Sequence, residues 1–241
     1  MANPLQQFEV KTLIPIHMGG VDASFTNASM FMMFAVAGVA TFLMLSMRGR
    51  ALVPTRWQSM AELSYEFIAG MVRDNVGSEG RKYFPFIFSL FMFILFANLI
   101  GLLPYSFTFT SHIIVTFAMA ITVFLGVTVI GIVRHKLHFL SFFLPAGVPK
   151  IMAPILVPIE IVSYLSRPVS LSIRLFANMM AGHTMMKVFA GFVIPLGILG
   201  GWAPLAVDVA LTGFEFLVAF LQAYVFTILT CLYLNDAIHL H

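Results

Sequence analysis

Long apolar runs alternate with short polar connections along most of the chain, and the runs differ in how they treat charge. Residues 84–109 and 113–133 contain no Asp, Glu, Lys or Arg. At about 1.5 Å per residue, some 20 helical residues cross the roughly 30 Å hydrocarbon of a bilayer. Spanning helices are therefore predicted over 28–47, 84–103 and 113–133, the latter two joined as a tight hairpin through Pro104, Tyr105, Ser106 and Phe107. Two further stretches, 151–192 and 202–234, exceed a perpendicular crossing. Each must tilt strongly or break, and Pro154, Pro158, Pro168, Pro195 and Pro204 permit local bends. Over 55–73, Trp57, Met60, Leu63, Phe67, Ile68 and Met71 recur at helical spacing against Gln58, Glu62, Glu66 and Arg73. That segment is too polar to span and predicts an amphipathic helix along the cytoplasmic surface. Residues 1–24 read as a polar, irregular outer lead, and the turn between the last two spans falls at 194–201. The fold class is an all-α polytopic membrane protein: one membrane domain, 1–241, with five crossing helices and one surface helix.

Composition agrees. Only 10 % of the 241 residues are charged and 60 % are hydrophobic, with a mean hydropathy of +0.98. A soluble domain carries about a quarter charged residues, so the solvent of this chain is largely lipid. Arg48, Arg50, Arg56, Arg73, Arg81 and Lys82 fall in one connection and Arg134, Lys136 and Lys150 in another, whereas the intervening turns carry neither Lys nor Arg. The positive-inside rule then puts the N-terminus outside and the C-terminus in the cytoplasm. Glu9 and Asp22 precede the first apolar segment and arginines follow it, the order of a retained helix and not of a cleaved signal. Basic residues that border apolar segments suit membrane orientation, and no nucleic-acid partner is expected. Cys231 alone builds no disulfide or zinc framework, the histidines form no HExxH set, and no glycine-rich phosphate loop follows a strand. Neither metal nor cofactor is expected, and the methionines read as adaptable packing.

The last two spans differ because they carry ionisable residues. Glu160, Arg167 and Arg174 are spaced by seven, nearly two helical turns, and so share roughly one face; Asp208, Glu215 and Gln222 repeat the same spacing. Asn178 follows Arg174 by one turn, and His183 lies beyond it. If the two helices fold back about residues 198–199, Arg174 meets Gln222 in depth, His183 meets Glu215, and Lys187 meets Asp208 near the outer boundary. An arginine at the bilayer centre costs about 2.5–3.5 kcal/mol and stays protonated. Glu215 lies about a turn outward of it, so the main counter-charge of Arg174 is expected from another subunit. His183 and Glu215 can each take and release a proton; Arg174 cannot. A fixed cation between two partial water paths forbids a direct proton wire. The blander reading also stands: Asn178 and Gln222 as amides that glue helices, and Glu160 with Arg167 near the inner interface, where snorkelling is cheap.

The run Ser166-Arg167-Pro168-Val169-Ser170-Leu171-Ser172-Ile173-Arg174-Leu175-Phe176-Ala177-Asn178-Met179-Met180-Ala181-Gly182-His183 resembles the signature of the a subunits of F-type ATP synthases. Glu215-Phe216-Leu217-Val218-Ala219-Phe220-Leu221-Gln222-Ala223-Tyr224-Val225-Phe226 is similar to that family's final-helix signature, and Phe96-Ala97-Asn98-Leu99-Ile100-Gly101-Leu102-Leu103-Pro104 to its second-span ending. The resemblance implies proton translocation through the membrane sector, coupling proton flow to ring rotation and to ATP synthesis or hydrolysis. Arg174 would be the stator arginine that meets each passing c-ring carboxylate, with Asn178 and Gln222 its polar neighbours. His183 and Glu215 would belong to the outer half-channel and Glu160 to the inner one. The resemblance also implies steeply tilted final helices that embrace the c-ring, peripheral-stalk b-type subunits as partners alongside membrane lipid, H+ as the transported ion, and a bacterial inner membrane. The His183 and Glu215 arrangement resembles the mitochondrial and alphaproteobacterial form, and Ala177 stands where many members have glycine. A secondary transporter would call for paired internal repeats, none of which is evident, and a purely structural scaffold would leave proton flux indifferent to Arg174 and Glu215.

Overall fold

The computed structural model describes residues 8–15, 17–18, 21–22, 24–48, 53–103, 106–136, 139 and 152–239. Arg50, Pro104, Tyr105, Lys150 and Ile151, on which expectations above rest, lie outside the described residues. Among the described residues, five helices are long and apolar enough to cross a membrane, counting a short 3-10 turn, Ser78–Tyr83, that leads into the second of them. They are α1 (Asn27–Met47), α3 (Phe84–Gly101), α4 (Ile113–His135), α5 (Ala153–Val193) and α7 (Trp202–Ile238). Between α1 and α3 lies α2 (Arg56–Val76), and the one-turn α6 (Gly197–Gly200) sits in the outer turn. The ends follow local chemistry. Thr26 caps α1 by accepting from Ser29 N–H at 3.4 Å, and Thr55 caps α2 by accepting from Gln58 N–H at 3.4 Å. Helix α2 stops at Gly77, whose φ of +78° is open to glycine at no steric cost.

Helices α5 and α7 settle the choice between tilting and breaking. At 41 and 37 residues they extend about 60 and 55 Å, nearly twice a bilayer core, so they must incline steeply. α5 runs unbroken through Pro158 and Pro168. Proline withholds one backbone donor each time. Beside Pro168 the Ser166 hydroxyl donates to Ser163 O at 2.7 Å and the Ser172 hydroxyl to Val169 O at 2.9 Å, within the helix's own turns.

α7 is the central helix, packed on α2, α3, α4 and α5. Its small residues Ala219 and Ala223 belong to the main buried core together with Phe91 and Met92 of α3 and Leu175 and Met179 of α5. Small residues let backbones approach where lipid supplies no hydrophobic drive between helices. Polar ties pin the arrangement. Asn98 Nδ2 donates to Ala219 O at 3.3 Å, Thr128 Oγ1 lies 2.6 Å from the Tyr164 hydroxyl, and His135 Nε2 lies 3.0 Å from Ile238 O.

Two expectations are corrected. The lead is not wholly irregular: Thr12–Ile14 pairs antiparallel with Phe25–Thr26, and His17–Met18 with Val21–Asp22. Gly19-Gly20 between two short runs is a hairpin signal outweighed by the polar composition of the lead. Nor is the polar side of α2 wholly exposed or its apolar side wholly buried. Gln58 is buried and donates to Glu62 Oε1 at 2.8 Å, along a stripe with Ala61, Ile68, Met71 and Val72, while Trp57, Met60 and Leu63 point outward. Packing on α1, α3 and α7 takes up one side of this helix and leaves Trp57, Met60 and Leu63 exposed.

Candidate functional site

The chemistry gathers where α5, α7 and the α3–α4 connector meet. His183 on α5 and Glu215 on α7 are 5 % and 3 % exposed, with His183 Nδ1 2.8 Å from Glu215 Oε1. The pairing in depth expected from the hairpin is realised here. One turn outward it holds again, with Thr212 Oγ1 3.5 Å from Met186 Sδ. Gly182 makes the approach practicable: a Cβ there would lie 2.9 Å from Glu215 Cδ, closer than such atoms sit. The contact is an ion-pair distance and not an aligned hydrogen bond, and neither Glu215 oxygen has a directed donor among the described residues. Two ionisable groups buried together are tolerable when they share a proton or a charge pair, because either alone would face the full desolvation penalty.

The other ring nitrogen is held by the connector. His183 Nε2 lies 2.6 Å from Thr108 Oγ1, which also bonds Gly101 O at 3.1 Å. Phe107, next to Thr108, stacks on His112 with ring centroids 5.1 Å apart. Burial lowers the pKa of His112, which favours the neutral ring in this stack.

Water-sized space meets the pair from two sides. A cavity of about 700 Å³ is lined by Glu9, Lys11, Thr108, His183, Lys187 and Asp208. A second cleft of about 260 Å³ is lined by Asn178, Gly182, Phe214, Glu215 and Gln222. His183 borders the first and Glu215 the second. The paired side chains thus stand between two spaces.

The remaining expected residues are dispersed. Arg174 is exposed on α5, nine residues or about 13 Å inward of His183, and among the described residues no ion pair engages it. Gln222 is buried and shares the cleft with half-buried Asn178, but Arg174 does not line that cleft. Glu160 is half-buried some 21 Å further along α5, without an ion pair among the described residues. Lys187 and Asp208 form no ion pair with each other within 4.0 Å; they line the first cavity, and Asp208 Oδ1 is buried without a hydrogen-bond partner among the described residues. Equal depth sets a level, and the cavity keeps these two side chains apart. Among the described residues no three His, Cys, Asp or Glu gather as a metal-ligand group.

The shared stripe of Glu160, Arg167 and Arg174 also divides. Arg167 turns into α7, where Nη1 donates to Asp236 Oδ2 at 3.0 Å and the guanidinium lies 5.3 and 4.9 Å from the Tyr164 and Tyr233 ring centroids. The constant register that joins His183 to Glu215 would put Arg167 level with Cys231. It fails here because helices that cross do not stay level over so many turns. Asp236 and Thr108 were not read from the sequence: one is a carboxylate in the last turn of a long apolar helix, the other an uncharged hydroxyl in a connector. Asp236→Asn should lower stability by about 1–2 kcal/mol through loss of a charge-assisted bond to a part-buried guanidinium. Thermal unfolding in detergent would register this as a fall of roughly 2–8 °C in Tm.

Comparison with known proteins fits this geometry. Residues 29–235 match the family described as ATP synthase A chain. The chain is 60 % identical to ATP synthase subunit a of Paramagnetospirillum magneticum over 247 residues, covering all of both chains. It is 59 % identical to that of Pelagibacter ubique, over 99 % of this chain and 98 % of the relative, and 56 % identical to that of Rhodospirillum rubrum over the whole of both. Five apolar helices, a buried His and Glu pair and this similarity along nearly the full length lead to one conclusion: the chain belongs to the ATP synthase A chain family, multi-pass membrane proteins whose role is proton translocation coupled to rotation of the synthase.

Proposed function

We propose that the two spaces beside His183 and Glu215 are successive parts of an outer half-channel, and that Arg174 separates it from an inner half-channel near Glu160. The observation that carries this reading is the buried pair itself, with His183 on one cavity and Glu215 on the other. A proton enters the larger cavity past Lys187 and Asp208, is taken by the pair, and leaves Glu215 into the cleft bordered by Asn178 and Gln222. There it boards a carboxylate of the c-ring. The neutral carboxyl then turns through lipid and discharges at the inner path. Arg174, permanently charged and exposed toward the ring, favours the ionised carboxylate as it passes and keeps protons from crossing directly. Each charge moved through the field is worth about 2.3 kcal/mol per 100 mV.

This arrangement fits a single membrane domain over 1–241 with the N-terminus outside and the C-terminus in the cytoplasm of a bacterial inner membrane. Its partners are the c-ring, b-type stalk subunits and lipid. The sidedness is open to a direct test in the assembled enzyme carrying Cys231→Ala. Cysteine at 187 or 208 should react with a membrane-impermeant thiol reagent from the outer face only, and cysteine at 160 from the inner face only. Labelling of position 187 from the inner face would defeat the two-path reading.

A further inference from the structure

The Thr108 hydroxyl is buried against the relay, yet the path above gives it no part. It has one proton to donate and lone pairs with which to accept. Gly101 O, 3.1 Å away, only accepts. While the hydroxyl proton rests there, the 2.6 Å contact with His183 runs the other way, Nε2–H donating to Thr108 Oγ1. That leaves Nδ1, the nitrogen facing Glu215, as the one that gains and loses a proton.

We propose that Thr108 is a positioning residue of the outer relay: it holds the Nε2 proton of His183 in every charge state, so that Nδ1 alone exchanges with Glu215. The inference rests on the reading of His183 and Glu215 as that relay. In the exchange the carboxylate swings into line with Nδ1, the Nδ1–H bond breaks, an O–H bond forms on Glu215, and the charges of imidazolium and carboxylate cancel together; Nδ1 then regains a proton from the first cavity, which His183 lines. The Nε2 bond persists throughout, and the ring need not turn between loaded and unloaded states. The surroundings keep Thr108 in place. A Cβ at Gly101 would meet Thr108 Cγ2 at 2.8 Å, so glycine is what lets the connector close on α3. Five other titratable groups face this ring or its cavity: Glu215 and Asp208 from α7, Lys187 from α5, and Glu9 and Lys11 from the lead. Among the described residues, only Thr108 hydrogen-bonds Nε2.

The test measures ATP synthesis by the reconstituted enzyme against outer pH, at fixed inner pH and fixed potential. Without an acceptor at Nε2 the loaded, cationic ring is disfavoured. Thr108→Val should therefore move the half-maximal outer pH about one unit toward acid, and Thr108→Ser should restore it. Gly101→Ala, which keeps the hydroxyl but crowds it off the ring, should shift the profile in the same direction; it decides the matter if the valine variant does not assemble. A Thr108→Val profile that overlays the unmodified enzyme overturns the proposal, as does a Thr108→Ser profile shifted equally far. Glu215→Gln separates the two levels: wild-type synthesis there overturns the relay itself, whereas an unmoved Thr108→Val profile beside an inactive Glu215→Gln overturns only the role of Thr108.

Discussion

Arg174→Ala in the assembled, membrane-embedded enzyme is expected to lose gradient-driven ATP synthesis and ATP-driven pumping together, while the membrane becomes passively leaky to protons. The two effects have separate origins. In the proposed mechanism coupling fails because a ring carboxylate loses its counter-charge at the interface; removing one member of a desolvated pair costs about 3–5 kcal/mol, equivalent to roughly 10²–10⁴-fold in rate. Leak appears because the cation that repels protons between the two half-paths is gone. Arg174 suits this role because it is exposed and no ion pair engages it among the described residues, so its charge remains available to a partner. Arg174→Lys should keep the barrier but lose part of the coupling, because a point charge replaces a planar fork that can grip a carboxylate bidentately. Proton-dye quenching in sealed vesicles, with and without ATP, reads both effects. Coupled synthesis at the unmodified level would remove Arg174 from the mechanism.

Glu215→Gln should fail differently. The amide nearly preserves shape, so packing against His183 and Gly182 survives, but the side chain can no longer bind and release a proton. Positioned proton transfer contributes roughly 10²–10⁴-fold, so synthesis should fall by at least about 100-fold. No leak should accompany the loss, because Arg174 remains. That contrast separates a relay from a barrier, and the same dye assay reports it. A leaky Glu215→Gln membrane would mean that Glu215 helps to seal the path and does not serve it.

Much of the fold was legible because hydrocarbon imposes few rules. The five spans follow from apolar length, and the observed ends differ from the expected ones by a few residues, where capping by Thr26, Thr55 and Gly77 decides. The meeting of His183 with Glu215 was legible from an equal-depth count because both lie within five turns of the hairpin tip, where little drift accumulates. Farther in, the count was not extended to Arg167, and a long flexible side chain on crossing helices reaches Asp236 instead of a residue at its own level. Lys187 and Asp208 illustrate the complementary limit: the count sets their level and says nothing of the cavity between them. The buried Gln58 of α2 was invisible to a two-faced pattern, because the side that packs on α1, α3 and α7 takes residues from both the apolar and the polar set. Thr108 left no periodic signature at all. Its importance arises only when the chain closes and brings residues 108 and 183 within 2.6 Å.

The most direct measurement is the structure of this chain beside its ring in the assembled synthase. The Arg174 guanidinium is expected within ion-pair distance of a ring carboxylate, with ordered water reaching His183 from the outer face and Glu160 from the inner face but never joining across the arginine. An Arg174 side chain directed into lipid or bulk solvent away from the ring, or one continuous water file past it, would contradict the role assigned to it.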